Sequence, residues 1–195
     1  MVADSRELRR QRGFNLAEVM IAMAMLGTVI LSIITLFYLG RSNIYSGKQM
    51  TRAASVTVHA NEDLGPLGAA DLLSAFNITS TTAMVTSPTI AGSAYSNAIV
   101  RSTSGCTSTV VGGVTTWNCG ANDVKGYLAR WKGLLGSERI TKGNVTLVFL
   151  PRNIASPGTD PTKAALVNVR VITEWSETRR NRNVSLDLVK FNRNQ

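Results

Sequence analysis

Chemically reactive side chains are scarce in this chain of 195 residues, which has a single histidine, His59, and two cysteines, Cys106 and Cys119. It contains no Gly-x-Ser-x-Gly nucleophile motif, no sequence cluster of metal-binding side chains and no glycine-rich phosphate loop. A hydrolase needs a nucleophile, a base and an orienting group that meet in one pocket. The sequence therefore argues against an enzyme, and we expect no metal and no cofactor.

Charge is missing altogether from Val19 to Gly40. At about 1.5 Å per residue, a helix of this length covers roughly the 30 Å hydrocarbon core of a bilayer, whereas the apolar part of a secretory signal has only roughly 7 to 15 residues. Basic residues are more frequent before the run than closely behind it, so the positive-inside rule predicts a cytoplasmic N-terminus and export of the rest. Those before it are Arg6, Arg9, Arg10 and Arg12, and those behind it are Arg41 and Lys48.

One carboxylate, Glu18, lies in the first turns of this predicted helix. An ionised side chain near the bilayer centre costs on the order of 3 kcal/mol, so a carboxylate in a membrane span indicates a function by default. The alternative is a carboxylate at the membrane interface that interacts with the positive end of the helix dipole.

The residues that precede and include Glu18 form a recognisable motif. Arg12-Gly13-Phe14-Asn15-Leu16-Ala17-Glu18, followed at once by a long apolar helix, resembles the type IV prepilin signature, which is shared by type IV pilins and by pseudopilins of type II secretion. The resemblance implies that prepilin peptidase removes residues 1–13 by cleavage after Gly13, and that Phe14 becomes the N-methylated N-terminus. It also implies that Glu18 pairs with the N-terminal ammonium of a neighbouring subunit during filament assembly. A buried carboxylate is tolerated only when it is paired, which agrees with that role.

Two residues of the apolar run bear on the type of subunit. Gly27 matches a glycine common in the family's helix, but Thr35 stands where many major pilins carry a proline. The chain therefore resembles a minor pilin more than a bulk filament subunit. A minor pseudopilin of type II secretion, a major pilin, a DNA-uptake pilin and a membrane-anchored binding domain that never assembles remain as alternatives.

The same resemblance implies partners and a location. The partners are other pilin or pseudopilin subunits, the prepilin peptidase, the inner-membrane assembly platform and the lipid bilayer. The expected location is the bacterial inner membrane, as a single-pass protein, before assembly. After assembly it is the periplasm or a pilus at the cell surface.

A second part of the predicted helix follows Gly40, because no strong breaker occurs before Gly65-Pro66. Its apolar positions, which include Ile44, Ala54, Val56 and Val58, suit coverage by a globular head. We therefore predict an α+β fold, which the resemblance also implies. Residues 1–13 are the leader, residues 14–64 form one helix that is transmembrane over 19–40, and residues 65–195 form a head with an antiparallel β-sheet, in the periplasm or outside the cell.

The two cysteines flank a hairpin signal, Gly112-Gly113, which stands between β-branched residues. A two-residue turn there places Cys106 opposite Cys119 in a non-hydrogen-bonded pair, with Cα atoms about 4.5 to 5.5 Å apart. The alternative, a two-cysteine metal site, lacks further ligands. We expect a disulfide, which an oxidising periplasm permits.

The remaining elements of the head follow from periodicity and from turn residues. Residues 67–105 otherwise read as polar loops, suited either to recognition or to a low-complexity linker. The residues from Ser176 to Arg182 are predicted to form the polar connection between the last two strands. The predicted elements are helices at 67–76 and 123–135 and strands at 98–102, 145–150 (ending at Pro151), 167–175 and 184–188.

The formal charge of the chain is +9, and removal of residues 1–13 takes away four arginines and two acids, which leaves +7. Arg179, Arg180 and Arg182 lie close together near the C-terminus, followed by Lys190 and Arg193. Such residues suit contacts with DNA phosphates, so nucleic acid is a candidate partner. A solvated hairpin or attraction to an anionic surface explains them equally well.

Overall fold

A computed structural model describes residues 15–140, 142–154, 160–177 and 180–192. It contains three α-helices, α1 (Leu16–Leu64), α2 (Ala69–Ala75) and α3 (Tyr127–Ser137). The strands are β1 (Thr89–Ile90), β2 (Ser93–Ala94), β3 (Ile99–Ser102), β4 (Thr107–Val111), β5 (Val114–Asn118), β6 (Asn144–Ile154), β7 (Ala164–Glu177) and β8 (Arg180–Phe191).

The main sheet is antiparallel, with the strand order β3-β6-β7-β8. Two further hairpins, β1–β2 and β4–β5, form small sheets of their own. The predicted α+β class is confirmed, because a long N-terminal helix is followed by antiparallel sheets and its second part packs on the main sheet.

Helix α1 belongs to two compact units, whose boundary falls between Tyr45 and Ser46. In the first unit, every described residue up to Tyr45 is exposed. In the second unit, one stripe of the helix recurs at intervals of three and four residues, as expected for a single helix face. The stripe is completely or almost completely buried and consists of Ala53, Val56, Ala60 and Leu64.

The core of the second unit lies between this stripe and one face of the main sheet. Alternate residues of β7 point into it, since successive side chains of a strand lie on opposite faces. Helices α2 and α3 close the core with large side chains, among them Phe76 next to α2 and Trp131 in α3, whose ring centroids are 6.1 Å apart. The buried β7 row is Val167, Val169, Val171, Thr173 and Trp175.

The opposite face of the sheet carries a smaller buried cluster that includes Val148 and Ile172. It is covered by the segment that contains β1 and β2, with Tyr95, Ile90 and Ala91 packed against the strands. The sequence did not reveal this hairpin, because each strand has only two residues.

Most predicted elements are confirmed, with shifted ends. Helix α1 ends at Leu64, where Gly65 donates its N–H to the carbonyl of Asn61 at 2.8 Å. Helix α2 is shorter than predicted. Helix α3 begins four residues later than predicted, because Gly126 takes a left-handed conformation with φ of 74° just before it.

The predicted end of a strand at Pro151 is wrong, because β6 runs on to Ile154 and Pro151 pairs with Val167. Val145 and Pro151 are an even number of residues apart in β6, so their backbone nitrogens point to the same side of the strand. The N–H of Val145 points away from β7 and donates to Thr103 Oγ1 at 2.9 Å. The nitrogen of Pro151 therefore also points away from β7. Since β3 pairs only as far as Phe149, the missing N–H breaks no ladder bond.

The predicted polar connection from Ser176 to Arg182 is also wrong. Ser176 pairs with Asn181 and Glu177 pairs with Arg180, so both strands extend into the polar stretch and only residues 178 and 179, outside the described ranges, join them. Polar residues are compatible with a strand here, because Ser176, Arg180, Asn181 and Arg182 are all exposed.

Candidate functional site

The first turn of α1 positions Glu18. The carbonyl of Asn15 accepts the N–H groups of Glu18 at 2.8 Å and Val19 at 3.3 Å, which places Asn15 at the N-cap. A carboxylate in this turn interacts favourably with the helix dipole. Glu18 is exposed and forms no ion pair within the described ranges. Gly13 and Phe14, the predicted processing residues, lie outside the described residues.

Three hydroxyl groups in the apolar part of α1 are hydrogen-bonded to the helix backbone. The hydroxyl groups of Thr28, Ser32 and Thr35 donate to helix carbonyls three or four residues earlier, at 2.8 to 2.9 Å. The helix continues without interruption at Thr35, where the resemblance sets a proline in major pilins. These three hydroxyl groups therefore have acceptors within the helix itself.

Helix α1 is long and apolar enough to cross a membrane, and the apolar window has no residue buried inside the protein. Its large side chains are openly exposed, such as Leu26 at 60%, Leu36 at 69% and Phe37 at 76%. Exposed apolar area is unfavourable in water by roughly 25 cal/mol per Å². A contiguous apolar surface of this extent indicates an interaction with lipid or protein.

The predicted hairpin and its disulfide are confirmed. Strands β4 and β5 pair in the predicted register from Thr107 with Asn118 to Val111 with Val114. Gly112 and Gly113 both have positive φ, 59° and 79°, as a type I′ turn requires. At the base, Cys106 and Cys119 form a disulfide with a Cα–Cα distance of 4.1 Å.

The disulfide-bonded hairpin contacts the rest of the second unit through Trp117 in β5. Trp117 lies against α3, with the Nζ of Lys132 5.7 Å from its ring centroid, and a Cβ at Gly133 would be 3.9 Å from its ring. Lys132 Nζ also donates to the carbonyl of Gly143 at 3.0 Å, and burial lowers the pKa of this lysine. The tip is exposed and apolar, formed by Val110, Val111 and Val114.

The predicted basic cluster at the C-terminus is spread along β8. Arg180 and Arg182 are two residues apart on one face of the strand, and Arg182 Nε lies 3.7 Å from Glu177 Oε2. Lys190 is about 27 Å farther along the strand and donates to the carbonyl of Gly65. The structure thus separates Lys190 from the two arginines. Arg179 and Arg193 lie outside the described residues.

Glu177 was not predicted as a functional residue, yet it organises the beginning of the second unit. Its carboxylate accepts from Ser46 Oγ at 3.0 Å and from Trp175 Nε1 at 3.2 Å, and Arg182 lies beside it. It therefore joins the helix to the end of the β7–β8 hairpin. The sequence does not predict how β7 and β8 pair at this point, and only that register would have revealed the contact between Glu177 and Arg182.

An ion pair on the outer face of the sheet was also missed. Arg170 donates to both carboxylate oxygens of Asp187 at 2.6 Å, and its guanidinium lies 5.8 Å from the ring centroid of Tyr95. The hydrogen bonds from Arg170 lower the pKa of Asp187 and raise that of Arg170. The signal was available, because opposite charges face each other on neighbouring strands.

No family model, curated protein or solved structure matches this chain. The prepilin resemblance therefore depends on the N-terminal residues themselves.

The remaining ionisable groups do not converge on a site in the part of the chain that the structure describes. His59 is exposed on α1, with Nδ1 3.4 Å from Glu62 Oε2. No group of three histidine, cysteine or acidic residues that would hold a metal occurs in these ranges. A cleft of about 440 Å³ lies between residues 65–71 and 189–192, and its only ionisable side chains are Asp71 and Lys190.

Proposed function

We propose that this chain is a minor type IV pilin, a structural subunit that is processed after Gly13 and assembles into a pilus or primes its assembly. One observation carries the proposal. Glu18 lies in the first turn of a helix, has no cationic partner in the described residues, and is followed by an entirely exposed apolar stretch. The residues just before it match the prepilin processing motif.

The position of Glu18 calls for a partner from outside this helix. The next basic residue along α1 is Arg41, roughly 35 Å away at the rise of an α-helix. A carboxylate carried into an apolar environment is stable only when it is paired. Cleavage after Gly13 creates a cation at the right depth, the amine of Phe14, which an adjacent subunit would supply.

The apolar stretch supports insertion in the inner membrane, with the N-terminus in the cytoplasm. Its length fits the bilayer, and the hydroxyl groups of Thr28, Ser32 and Thr35 are bonded to the helix backbone, as an apolar environment demands. The disulfide of the β4–β5 hairpin supports an oxidising compartment for the head. Thr35, whose hydroxyl bonds to Leu31 in an unbroken helix, favours a minor over a major subunit.

The implied partners are other pilin subunits, the prepilin peptidase and the inner-membrane assembly platform. A type II secretion minor pseudopilin would use the same groups. Deletion of the gene separates the two systems. Loss of pili from the sheared fraction indicates a pilin, whereas loss of protein secretion indicates a pseudopilin. The abundance of the chain relative to the main subunit in that fraction separates a minor from a major pilin.

Mass spectrometry of the mature protein tests processing. We expect an N-terminus at N-methylated Phe14, and we expect Gly13→Val to retain the leader, since glycine lets the peptidase approach the backbone closely. A mature protein that keeps residues 1–13 would refute the proposal.

Charge at position 18 tests assembly separately. We expect Glu18→Val to be processed and inserted but absent from the sheared pilus fraction. Glu18→Asp is the matched control, which keeps the carboxylate and should retain part of the assembly. A membrane-anchored binding domain that never assembles would be indifferent to both changes.

A further inference from the structure

Strand β8 is at the edge of the main sheet, and only its β7 side is paired within the described residues. Asn192, which continues its register, donates its N–H to the carbonyl of Ala165 at 2.9 Å. Antiparallel ladders alternate, so even-numbered residues of β8 direct their backbone groups to β7 and odd-numbered residues direct theirs outward. The outward N–H and C=O groups belong to Asn181, Asn183, Ser185, Asp187, Val189 and Phe191, all with exposed side chains.

The even-numbered side chains of β8 lie on the core side of the sheet but are incompletely covered. Val184, Leu186 and Leu188 are each half-buried, and Val184 and Leu188 pack against the main core. A further strand beside β8 would cover this apolar row with its own side chains on the same face. That strand therefore needs apolar residues at alternate positions, on the face that it shares with Val184, Leu186 and Leu188.

The charges of β8 define the rest of the partner. Arg180 is exposed and forms no ion pair among the described residues, and Arg182 has a single carboxylate at 3.7 Å. The one acid of β8, Asp187, is already bound through both oxygens to Arg170. The free edge is thus cationic at its beginning, and acidic residues opposite Arg180 and Arg182 would complement it.

A second copy of this chain is a poor partner for the edge. If two β8 strands paired antiparallel, residues with outward backbone groups would face each other, so odd-numbered residues would oppose odd-numbered ones and even-numbered residues even-numbered ones. Arg180, Arg182 and Lys190 are all even-numbered, whereas Asp187 is odd-numbered. No register of such a pair places a carboxylate opposite an arginine.

We propose that the free edge of β8, from Arg180 to Leu188, binds an extended segment of another protein as an added antiparallel strand. That segment has apolar residues opposite Val184, Leu186 and Leu188, and acidic residues opposite Arg180 and Arg182. Backbone hydrogen bonds supply the affinity, and alternate side chains supply the specificity. The inference stands independently of the proposed function, because it uses only groups of the second unit.

A synthetic peptide of sequence VTVTVTETE, which carries this pattern in the antiparallel direction, tests the proposal on the full chain in detergent micelles. Its matched control, VTVTVTKTK, differs only in the sign of charge opposite the two arginines. We expect fluorescence anisotropy to give a dissociation constant below roughly 1 mM for the acidic peptide, and one on the order of tenfold higher for the control. Arg180→Gln, which removes one of the two positive charges without placing a second carboxylate opposite Glu177, should remove part of this preference. Equal affinity of the two peptides, or no binding of either, would overturn the proposal.

Amide hydrogen exchange locates the added strand. The bound acidic peptide should slow exchange at Asn181, Asn183, Ser185 and Asp187, whereas the even-numbered amides are already protected by β7. Ser185→Pro removes an outward N–H only, so the fold should persist and peptide binding should be lost. Protection elsewhere in the chain, or full binding by a folded Ser185→Pro variant, would contradict pairing along β8.

Discussion

The hydroxyl of Thr57 in helix α1 lies 2.7 Å from the hydroxyl of Thr173 in β7, in a hydrogen bond between two fully buried side chains. Thr57 Oγ1 is also 2.8 Å from the carbonyl of Ala53, one turn earlier. A buried hydroxyl without a partner costs about 1 to 3 kcal/mol. This polar contact therefore favours one particular position of the helix on the sheet, among apolar neighbours that would tolerate others.

Replacing the two threonines one at a time should give unequal losses. Thr57→Val leaves the Thr173 hydroxyl without its partner and should lower the free energy of unfolding by about 1 to 3 kcal/mol. Thr173→Val should cost less, because Thr57 keeps the carbonyl of Ala53. Urea unfolding in micelles, followed by tryptophan fluorescence, measures both. The double variant should lose less than the sum of the two, and strictly additive losses would contradict the contact.

Gly136 in α3 and Gly143, which directly precedes β6, should respond oppositely to replacement by alanine. A Cβ on Gly143 would lie 2.7 Å from Ile140 Cγ2 and 3.1 Å from Leu135 Cδ2, so Gly143→Ala should destabilise the chain by about 1 to 3 kcal/mol. Gly136 lies in α3 with nothing within 4 Å of such a Cβ. Gly136→Ala should therefore gain up to about 1 kcal/mol from helix propensity. Thermal unfolding of the two variants compares them directly, and equal melting temperatures would refute the predicted crowding.

Loss of the Cys106–Cys119 disulfide should loosen the β4–β5 hairpin, because most residues of both strands are exposed. The chain-entropy model assigns the bond roughly 3 kcal/mol. In the variant with serine at both positions, we expect faster amide exchange from Thr107 to Asn118 and little change in α1 or β7. Reduction of the natural chain with a thiol should reproduce the pattern. Unchanged exchange in the hairpin would show that pairing and Trp117 suffice to hold it.

The Arg170–Asp187 pair should contribute stability that depends on pH. Because Arg170 lowers the pKa of Asp187, this contribution is complete above the unfolded-state pKa of about 3.9 and is lost as the pH falls through the lower, folded-state value. Asp187→Asn should cost about 0.2 to 1 kcal/mol at pH 7, since both side chains are partly exposed. The difference from the natural chain should shrink as the pH falls below 4. A constant difference over this range would contradict the pair. The hydroxyl of Thr162 lowers the pKa of Asp160 as well. Because both proteins carry Asp160, its titration cancels from the difference between them.

Local signals explain what the sequence predicted well. Helix α1 follows from an uninterrupted run without breakers that ends before Gly65-Pro66, and it was predicted almost to the residue. The β4–β5 hairpin follows from Gly112-Gly113, whose turn sets the register and thereby pairs the cysteines. In both cases the determining residues lie within the element or directly next to it.

The features that the sequence did not reveal depend on distant residues. The sequence predicts a strand end at Pro151, because only the length of β3 shows that the nitrogen of Pro151 has no strand beside it. The polar residues around Glu177 predict a loop, although the sheet extends into them. Tyr95 covers the outer face of the sheet from a segment whose composition resembles a linker. At the candidate site, the sequence placed Glu18 correctly in the first helical turn, but no residue of the described chain supplies its partner.

The geometry of the β4–β5 hairpin restricts how its length can change. Cys106 and Cys119 remain opposite each other only if both strands grow or shrink by the same number of residues, because one extra residue on one side shifts the pairing and turns its side chains to the other face. A peptide tag inserted between Gly112 and Gly113, at the exposed tip, removes the two-residue turn but lengthens neither strand, so the disulfide at the base still holds β4 opposite β5. The tip is therefore the natural place to label this protein while its helix, its core and its sheet edge stay as they are.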